Sequence, residues 1–446
     1  MKKIIISVLG LLCCYTATAQ REYSLQQLVD SALHNNYAVQ KAKFSIEAAQ
    51  HQRKEAYTKY FPNVSAVAMG FQATKGMAEM SLNPSEMLSP EMGTAISQML
   101  PAEALAALAS PVSISMMKNG VIGSIMAVQP VYAGGKIVNG NKLAKIGEEV
   151  SYLQLQLSEN DIQKNVEQYY WQLVSLHEKM NTLDAVSTLL NDLHKTAEVA
   201  VRAGVTLRND LLQVELRQND IASNKLKLKN GISIIKLLMS QYCGLQDTTF
   251  TVKTEKVSLS DPLLVDKSSA LASLPEYQLL EKQVEAADLQ IKMEKGKAMP
   301  TVAVGAGYNY HNLLDNNQHF GMVFATVNIP ISDWWGNGYA VKRKKIEQQQ
   351  AISQLKDNSE MLQIRMQKSW NDVMEAQQQI LLAKQGLEQA TENLRLNRTF
   401  YKAGTAKMSD LLEAQLLYQQ CCDKQTDAEA NYHQKLLDYR LATGTR

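Results

Sequence analysis

The chain has little of what breaks helices and little of what staples small domains. Its 446 residues include only 10 Pro, 22 Gly, 5 Cys and 7 Phe. Cys13 and Cys14 fall in the first 19 residues, leaving Cys243, Cys421 and Cys422 beyond them. That odd number in a long chain excludes a disulfide framework. Neither charge dominates, with 46 Lys+Arg against 44 Asp+Glu, so there is no reason to expect a nucleic-acid partner. Beyond the N terminus no apolar run is long enough for a membrane-spanning helix. The seven His show no pair at metal-ligand helical spacing, and neither a nucleophile–base set nor a phosphate loop stands out. The expectation is no catalysis, no metal and no cofactor.

What is present begins with a leader. Lys2 and Lys3 form a basic end, Ile4 to Leu12 an apolar core and Ala17-Thr18-Ala19 a small-residue cleavage site, which together read as a secretory signal over 1–19. Bulky Leu12 precedes Cys13 and argues against lipid attachment there. An exported chain with no apolar helix can cross a membrane only on strands.

One stretch occurs twice. Residues 201–215 and 401–415 share Ala203-Gly204 with Ala403-Gly404, and Asp210-Leu211-Leu212 with Asp410-Leu411-Leu412, at a spacing of 200 (404 − 204). In each, a Gly interrupts a helical pattern and an Asp restarts it. Glycine tolerates the left-handed conformation that ends a helix, and aspartate accepts hydrogen bonds at a helix start. Each stretch reads as the tip of a long helical hairpin, and two hairpins imply a duplicated chain. From Glu148 to Ala203 there is no Gly and no Pro; at ~1.5 Å per residue this part alone is about 84 Å long. Ile162, Val166, Tyr169, Leu173, Leu176, Met180, Leu183, Val186, Leu190 and Leu193 step by fours and threes along it, as a coiled-coil seam does. In the second half Met366, Val373, Ile380, Leu387 and Leu394 recur every seven residues.

The plan is therefore mainly α with a few strands. Residues 20–243 form a first repeat: a helix over 24–60 capped by Ser24 and stopped at Phe61-Pro62, a strand from Asn63 to about Phe71, an inserted loop 74–119, a strand over about 121–130, and a helical hairpin with its tip near 204. A mixed linker spans 244–274, with a strand at 249–253. Residues 275–446 form a second repeat: a helix to Met299-Pro300, a β-hairpin over 301–330 with a loop at 311–319, and a hairpin with its tip near 404. The insertion carries Pro84, Pro90, Pro101 and Pro111 and seven of the 19 Met. Thioethers favour soft ions such as Cu(I), but apolar filler in a folded surface loop is the preferred reading.

The strand at 301–310 alternates. Val302, Val304, Ala306, Tyr308 and Tyr310 share one face; Thr301, Ala303, Gly305, Gly307 and Asn309 share the other. An apolar face ending in aromatics fits a lipid-facing barrel strand, with Trp334-Trp335 as a membrane-interface anchor. Four strands per chain cannot close a barrel alone, because open edges cannot face lipid. Several chains must then share one. The competing reading is a soluble periplasmic coiled-coil scaffold or adaptor.

These features together resemble the TolC-type outer-membrane efflux protein family. The likeness rests on the opening Tyr23-Ser24-Leu25-Gln26-Gln27-Leu28 through Asn35-Asn36, the exits Phe61-Pro62 and Met299-Pro300, Gln129-Pro130-Val131-Tyr132-Ala133-Gly134-Gly135 with its counterpart Ile329-Pro330-Ile331-Ser332-Asp333, and the two Gly…Asp-Leu-Leu tips. The resemblance implies a homotrimer with a 12-strand barrel in the outer-membrane lipid and a 12-helix periplasmic tube. It would act as the passive exit duct of a tripartite efflux pump or type I secretion system, served by a periplasmic adaptor and an inner-membrane pump. It also implies a periplasmic gate: Asp410 and Glu413 match an acidic ring, and Tyr401 and Asp210 match two members of an interhelical network. The tips, with Gly204, Gly404, Ala203, Ala403, Leu211 and Leu411, would dock the adaptor. The arginine expected two residues after Gly404 is absent; Ala406 stands there, and Lys407, Lys402 or Arg208 is left as the basic partner.

Overall fold

A computed structural model describes residues 21–76, 78–253, 263–313 and 316–445. The expected secretory signal, with Cys13 and Cys14, lies outside the described residues, as do 254–262 of the expected linker. In chain order the elements are β1 (Glu22–Tyr23), α1 (Leu25–Asn35), α2 (Tyr37–Thr58), β2 (Asn63–Gln72), β3 (Ala78–Leu82), α3 (Pro90–Met99), α4 (Ala102–Ala109), β4 (Val112–Met116), β5 (Asn119–Ala133), α5 (Lys136–Arg202) and α6 (Arg208–Cys243). There follow β6 (Thr251–Val252), α7 (Lys267–Ser273), α8 (Pro275–Lys297), β7 (Thr301–Asn312), β8 (Asn317–Asn328), α9 (Asp333–Lys402) and α10 (Met408–Thr443). The chain is mostly helical and divides into two compact units. One takes the residues up to Gln50, Ile146–Glu285 and those from Gln349 onward; the other takes His51–Lys145 and Ala286–Gln348.

The first unit is built on the hairpins α5–α6 and α9–α10. The expected seam is its core: Ile162, Val166, Leu173, Leu183, Val186 and Leu190 are all buried, as are Met366, Val373 and Ile380 on α9. Helices this long stand because their apolar stripes pack, not because of propensity alone. No described helix is long and apolar enough to cross a membrane. The return helices α6 and α10 match: each has 36 residues, and each ends on a glycine in the left-handed region, Gly244 and Gly444.

The helix expected over 24–60 is two helices. Ser24 caps the first, accepting from the Gln27 amide at 3.3 Å, but Asn36 takes an extended conformation and breaks the run. Its Oδ1 accepts from the Ala38 N–H at 2.8 Å and restarts the helix, while its Nδ2 donates to the Tyr242 carbonyl at 3.0 Å. Ser31 and Asn35 donate to the Cys243 carbonyl at 2.9 and 3.2 Å. The last carbonyls of a helix have no partner within it, and here three side chains of α1 and its exit supply them. A short parallel pair, β1 with β6, lies beside this junction. The linker strand is thus shorter than expected, and Lys267–Ser273 of the linker is helical.

Further along the same unit, Trp171 of α5 stacks on His433 of α10, with ring centroids 3.7 Å apart and planes 3° from parallel. Burial, with help from the Arg440 charge, pushes the His433 pKa down to about 4. The ring is therefore neutral in the folded chain, whereas in the unfolded chain it takes a proton near 6.5. Stability should be full above about pH 6.5 and fall as the pH drops towards 4. His433→Phe keeps the stack and removes the titration, so its unfolding midpoint should lose part of the wild-type acid sensitivity between pH 7 and 4. Equal slopes for the two proteins would contradict this.

The second unit holds a four-stranded antiparallel sheet, ordered β2-β5-β7-β8. The strands of the second hairpin run further than expected, to Asn312 and from Asn317, which shortens its loop. Pro130 sits at a bulge in β5, where Val131 has no partner on β7; proline has no N–H to give a ladder and is tolerated at such a point. Gly134 and Gly296 meet backbone to backbone: a Cβ on Gly134 would lie 2.3 Å from the Gly296 carbonyl oxygen. The insertion expected as a folded surface loop has strands and helices of its own. β3 pairs antiparallel with β4 in a separate two-stranded sheet, with α3 and α4 between them.

Candidate functional site: the hairpin tips and the sheet face

The two tips are built alike. Gly204 and Gly404 have φ of 69° and 73°. The next amide, of Val205 or Thr405, reaches back to the carbonyl of Ala200 or Phe400 at 2.9 Å in both. These bonds satisfy carbonyls that α5 and α9 leave free. The aspartates act three residues into the return helices. Asp410 accepts from the Lys407 N–H at 3.2 Å and from the Ser409 hydroxyl at 3.1 Å, whereas Asp210 accepts from the Thr206 hydroxyl. Each thus holds the turn that precedes its helix.

A small core joins the tips. Ala197 of α5, Val214 of α6 and Met408 of α10 are buried together, with Leu193, Leu211, Tyr401 and Leu412 packed on them. Leu411 is also buried. Leu211 and Leu411 therefore hold the tip together within the chain. The most exposed apolar side chains at the first tip are Val205 at 80% and Leu207 at 73%, while the second tip has Thr405 and Lys407 in their places. Ala203, Ala403, Asp410 and Glu413 are exposed. The structure brings Tyr401 near Asp210: burial first, then the Asp210 charge, raises the Tyr401 phenol above its ordinary value.

Lys402, Lys407 and Arg208 form no ion pair among the described residues. Farther from the tips Lys164 and Lys179 of α5 pair with Asp438 and Asp427 of α10; nearer the tips the cation that joins the hairpins is Arg217 of α6. Its Nη2 donates to Gln419 Oε1 at 2.9 Å and its Nε to Gln415 Oε1 at 3.3 Å, both on α10. The Arg217 side chain is 14% exposed, and its one carboxylate neighbour, Asp220, is 3.9 Å away and well exposed. Burial lowers the guanidinium pKa and Asp220 partly restores it. Hydrogen bonds to a charged group are each worth roughly 1.5–3 kcal/mol. Sequence reasoning missed this residue because position 417, its counterpart in the other hairpin, is Leu; nothing repeats.

In the sheet, the register assembles the expected apolar face. Val304 pairs with Ala325, Ala306 with Val323 and Ala127, and Tyr308 with Ile125; Val64 lies opposite Ala127. Val304, Tyr308 and Tyr310 are exposed and Val302 is half-buried. The other face is mixed: it carries Ser65, Ser124, Asn309 and Thr326 but also the exposed Val67, Met69, Phe320 and Met322, with the Phe324 ring lying over Gly305. Trp334 donates its indole N–H to the Ala298 carbonyl at 2.9 Å, and Trp335 is 75% exposed. Among the described residues β2 and β8 are unpaired on their outer sides, so the sheet has two open edges.

Comparisons with known proteins agree with this geometry. Residues 267–445 match the sequence profile described as outer membrane efflux protein. No curated protein matches the chain. Among solved structures, the CmeC outer membrane channel of Campylobacter jejuni aligns with a TM-score of 0.75 at 14% identity, covering 94% of this chain and 85% of that one. The outer membrane protein VceC of Vibrio cholerae aligns with 0.75 at 14%, over 94% and 96%. The open state of the MtrE outer membrane channel of Neisseria gonorrhoeae aligns with 0.70 at 15%, over 94% and 88%. At such identities the likeness is one of fold.

Proposed function

We propose that this chain, whose residues 267–445 match the outer membrane efflux protein family, is the passive exit duct of an efflux pump in the outer membrane. The observation that carries the reading is the sheet: an exposed face of Val, Ala, Ile and Tyr with almost no polar residue, and two edges unpaired among the described residues. Edges of that kind cannot stand in lipid, so each must pair with another copy. Three chains give a 12-strand barrel, and their four long hairpin helices apiece give a 12-helix periplasmic tube. No groups for catalysis are needed; the energy comes from an inner-membrane pump joined through a periplasmic adaptor.

The chain order fits a leader at 1–19, a first repeat at 20–243, a linker at 244–274 and a second repeat at 275–446. Return helices of equal length and paired terminal glycines support the duplication. The adaptor would meet the tips around Gly204 and Gly404, with Val205 and Leu207 as its apolar contacts. The gate would combine the acidic pair Asp410 and Glu413, one helical turn apart and exposed, with the Tyr401–Asp210 approach and with Arg217 as the basic member. Three copies of the pair around an axis attract cations into the opening. Asp410→Ala with Glu413→Ala should raise the concentration of a multivalent cation that half-blocks single-channel current by about tenfold or more. Unchanged block would remove the acidic ring, and recovery of the protein from the soluble periplasm without detergent would remove the duct.

A further inference from the structure

Beside the Arg217 bridge lies a cavity of about 270 Å³, walled by α5, the end of α9 and the start of α10. Leu190, Leu193 and Leu412 give it apolar sides. Gln415 lines it and is 1% exposed. Arginine can only donate hydrogen bonds, so the Arg217 Nε holds the Gln415 carbonyl oxygen and turns the amide nitrogen the other way. That nitrogen is buried and has no acceptor. A buried donor left unmet is destabilising, and an acceptor placed in the cavity would relieve it. Two cations also line the cavity, Arg398 and Lys402, and neither forms an ion pair among the described residues; Asp192 is the single carboxylate in the wall.

We propose that this cavity binds a small amphipathic carboxylate, with its apolar body between the leucines and its oxygens towards Gln415 Nε2 and the Arg398 and Lys402 cations. The size suits it: a cavity of about 150 Å³ accepts benzene, so this one accepts an arylalkyl acid. The assignment deepens the duct reading by placing a ligand next to the bridge between the hairpins, but the binding itself stands apart from conduction.

The test uses the full-length protein in lipid nanodiscs and 4-phenylbutyrate as the probe, with affinity read by saturation-transfer NMR. The acid should bind about tenfold or more tightly than 4-phenylbutanol, which keeps the body and loses the charge, and 4-phenylbutylamine should bind more weakly still. Arg398→Gln should weaken the acid and leave the alcohol unchanged, and Leu412→Trp, which fills the cavity, should weaken both. Equal affinity for acid and alcohol, or an acid affinity untouched by both substitutions, would overturn the site. Either result leaves the duct standing, and a protein that binds the acid but conducts no ions would fail as a duct while keeping the site.

Discussion

Arg217→Ala should raise the ion conductance of the resting duct by about tenfold or more in planar bilayers, because it removes the charged bridge that, among the described residues, lies nearest the tips of the two hairpins. The substitution deletes two hydrogen bonds and leaves the Gln415 and Gln419 amides, 1% and 7% exposed, without their donors. Each such loss costs roughly 1–3 kcal/mol, so together they shift a closed-to-open balance by tenfold or more. The effect should persist at high salt, since a buried bridge is little screened. Arg217→Lys should fall between, because a lysine carries a charge but no fork of donors. A resting conductance unchanged in the alanine variant would remove Arg217 from the gate.

Val304→Arg should abolish assembly in the membrane. Val304 lies on the exposed apolar face, paired with Ala325. A charge on the lipid side of a barrel costs roughly 2–4 kcal/mol at the bilayer midplane. Three copies in one trimer multiply that cost, which then rivals the whole stability of an ordinary domain. Ser65→Lys is the control: Ser65 points to the other face, in register with Met126 and Gly307, and a lumen tolerates charge. Heat-resistant trimers on native gels should vanish for the first variant and remain for the second. Equal behaviour would mean that the two faces are not lipid and lumen.

What the sequence made legible is what periodicity and local chemistry encode. The seam from Ile162 to Leu193 could be read because one helix keeps one stripe against its neighbours over many turns. The tips could be read because only glycine takes the left-handed turn cheaply, and it stands there twice. The face of β7 was visible because small residues alternate with Val and Tyr. The faces of β2 and β5 were not, since large apolar residues such as Val67, Met69, Ile122 and Val128 fall on the face opposite Val304 and only the register sorts them. The break at Asn36 was hidden for another reason. Asparagine is not a helix stop by itself; it stops this helix because the carbonyl of Tyr242, over two hundred positions away, asks for its amide. Arg217 and Gln415 belong to the same class: their meaning lies in a partner on another hairpin, and chain order carries no trace of it. The insertion 74–119 was readable as an excursion, but its strand pair joins ends about thirty residues apart, with nothing between them to fix a register.

The clasp that Ser31, Asn35 and Asn36 place on the last carbonyls of α6 has a mechanical meaning. Fastened at Cys243 and joined to α10 near its other end by the Arg217 bridge and the small core around Val214, that rod is a lever with its fulcrum at the clasp. Its 36 residues make it about 54 Å long at ~1.5 Å per residue, so a swing of about 10° carries the far end through roughly 9 Å. A displacement that wide needs no bending of the rod and no rupture at the pivot, only release of the arginine and parting of the small core around Val214.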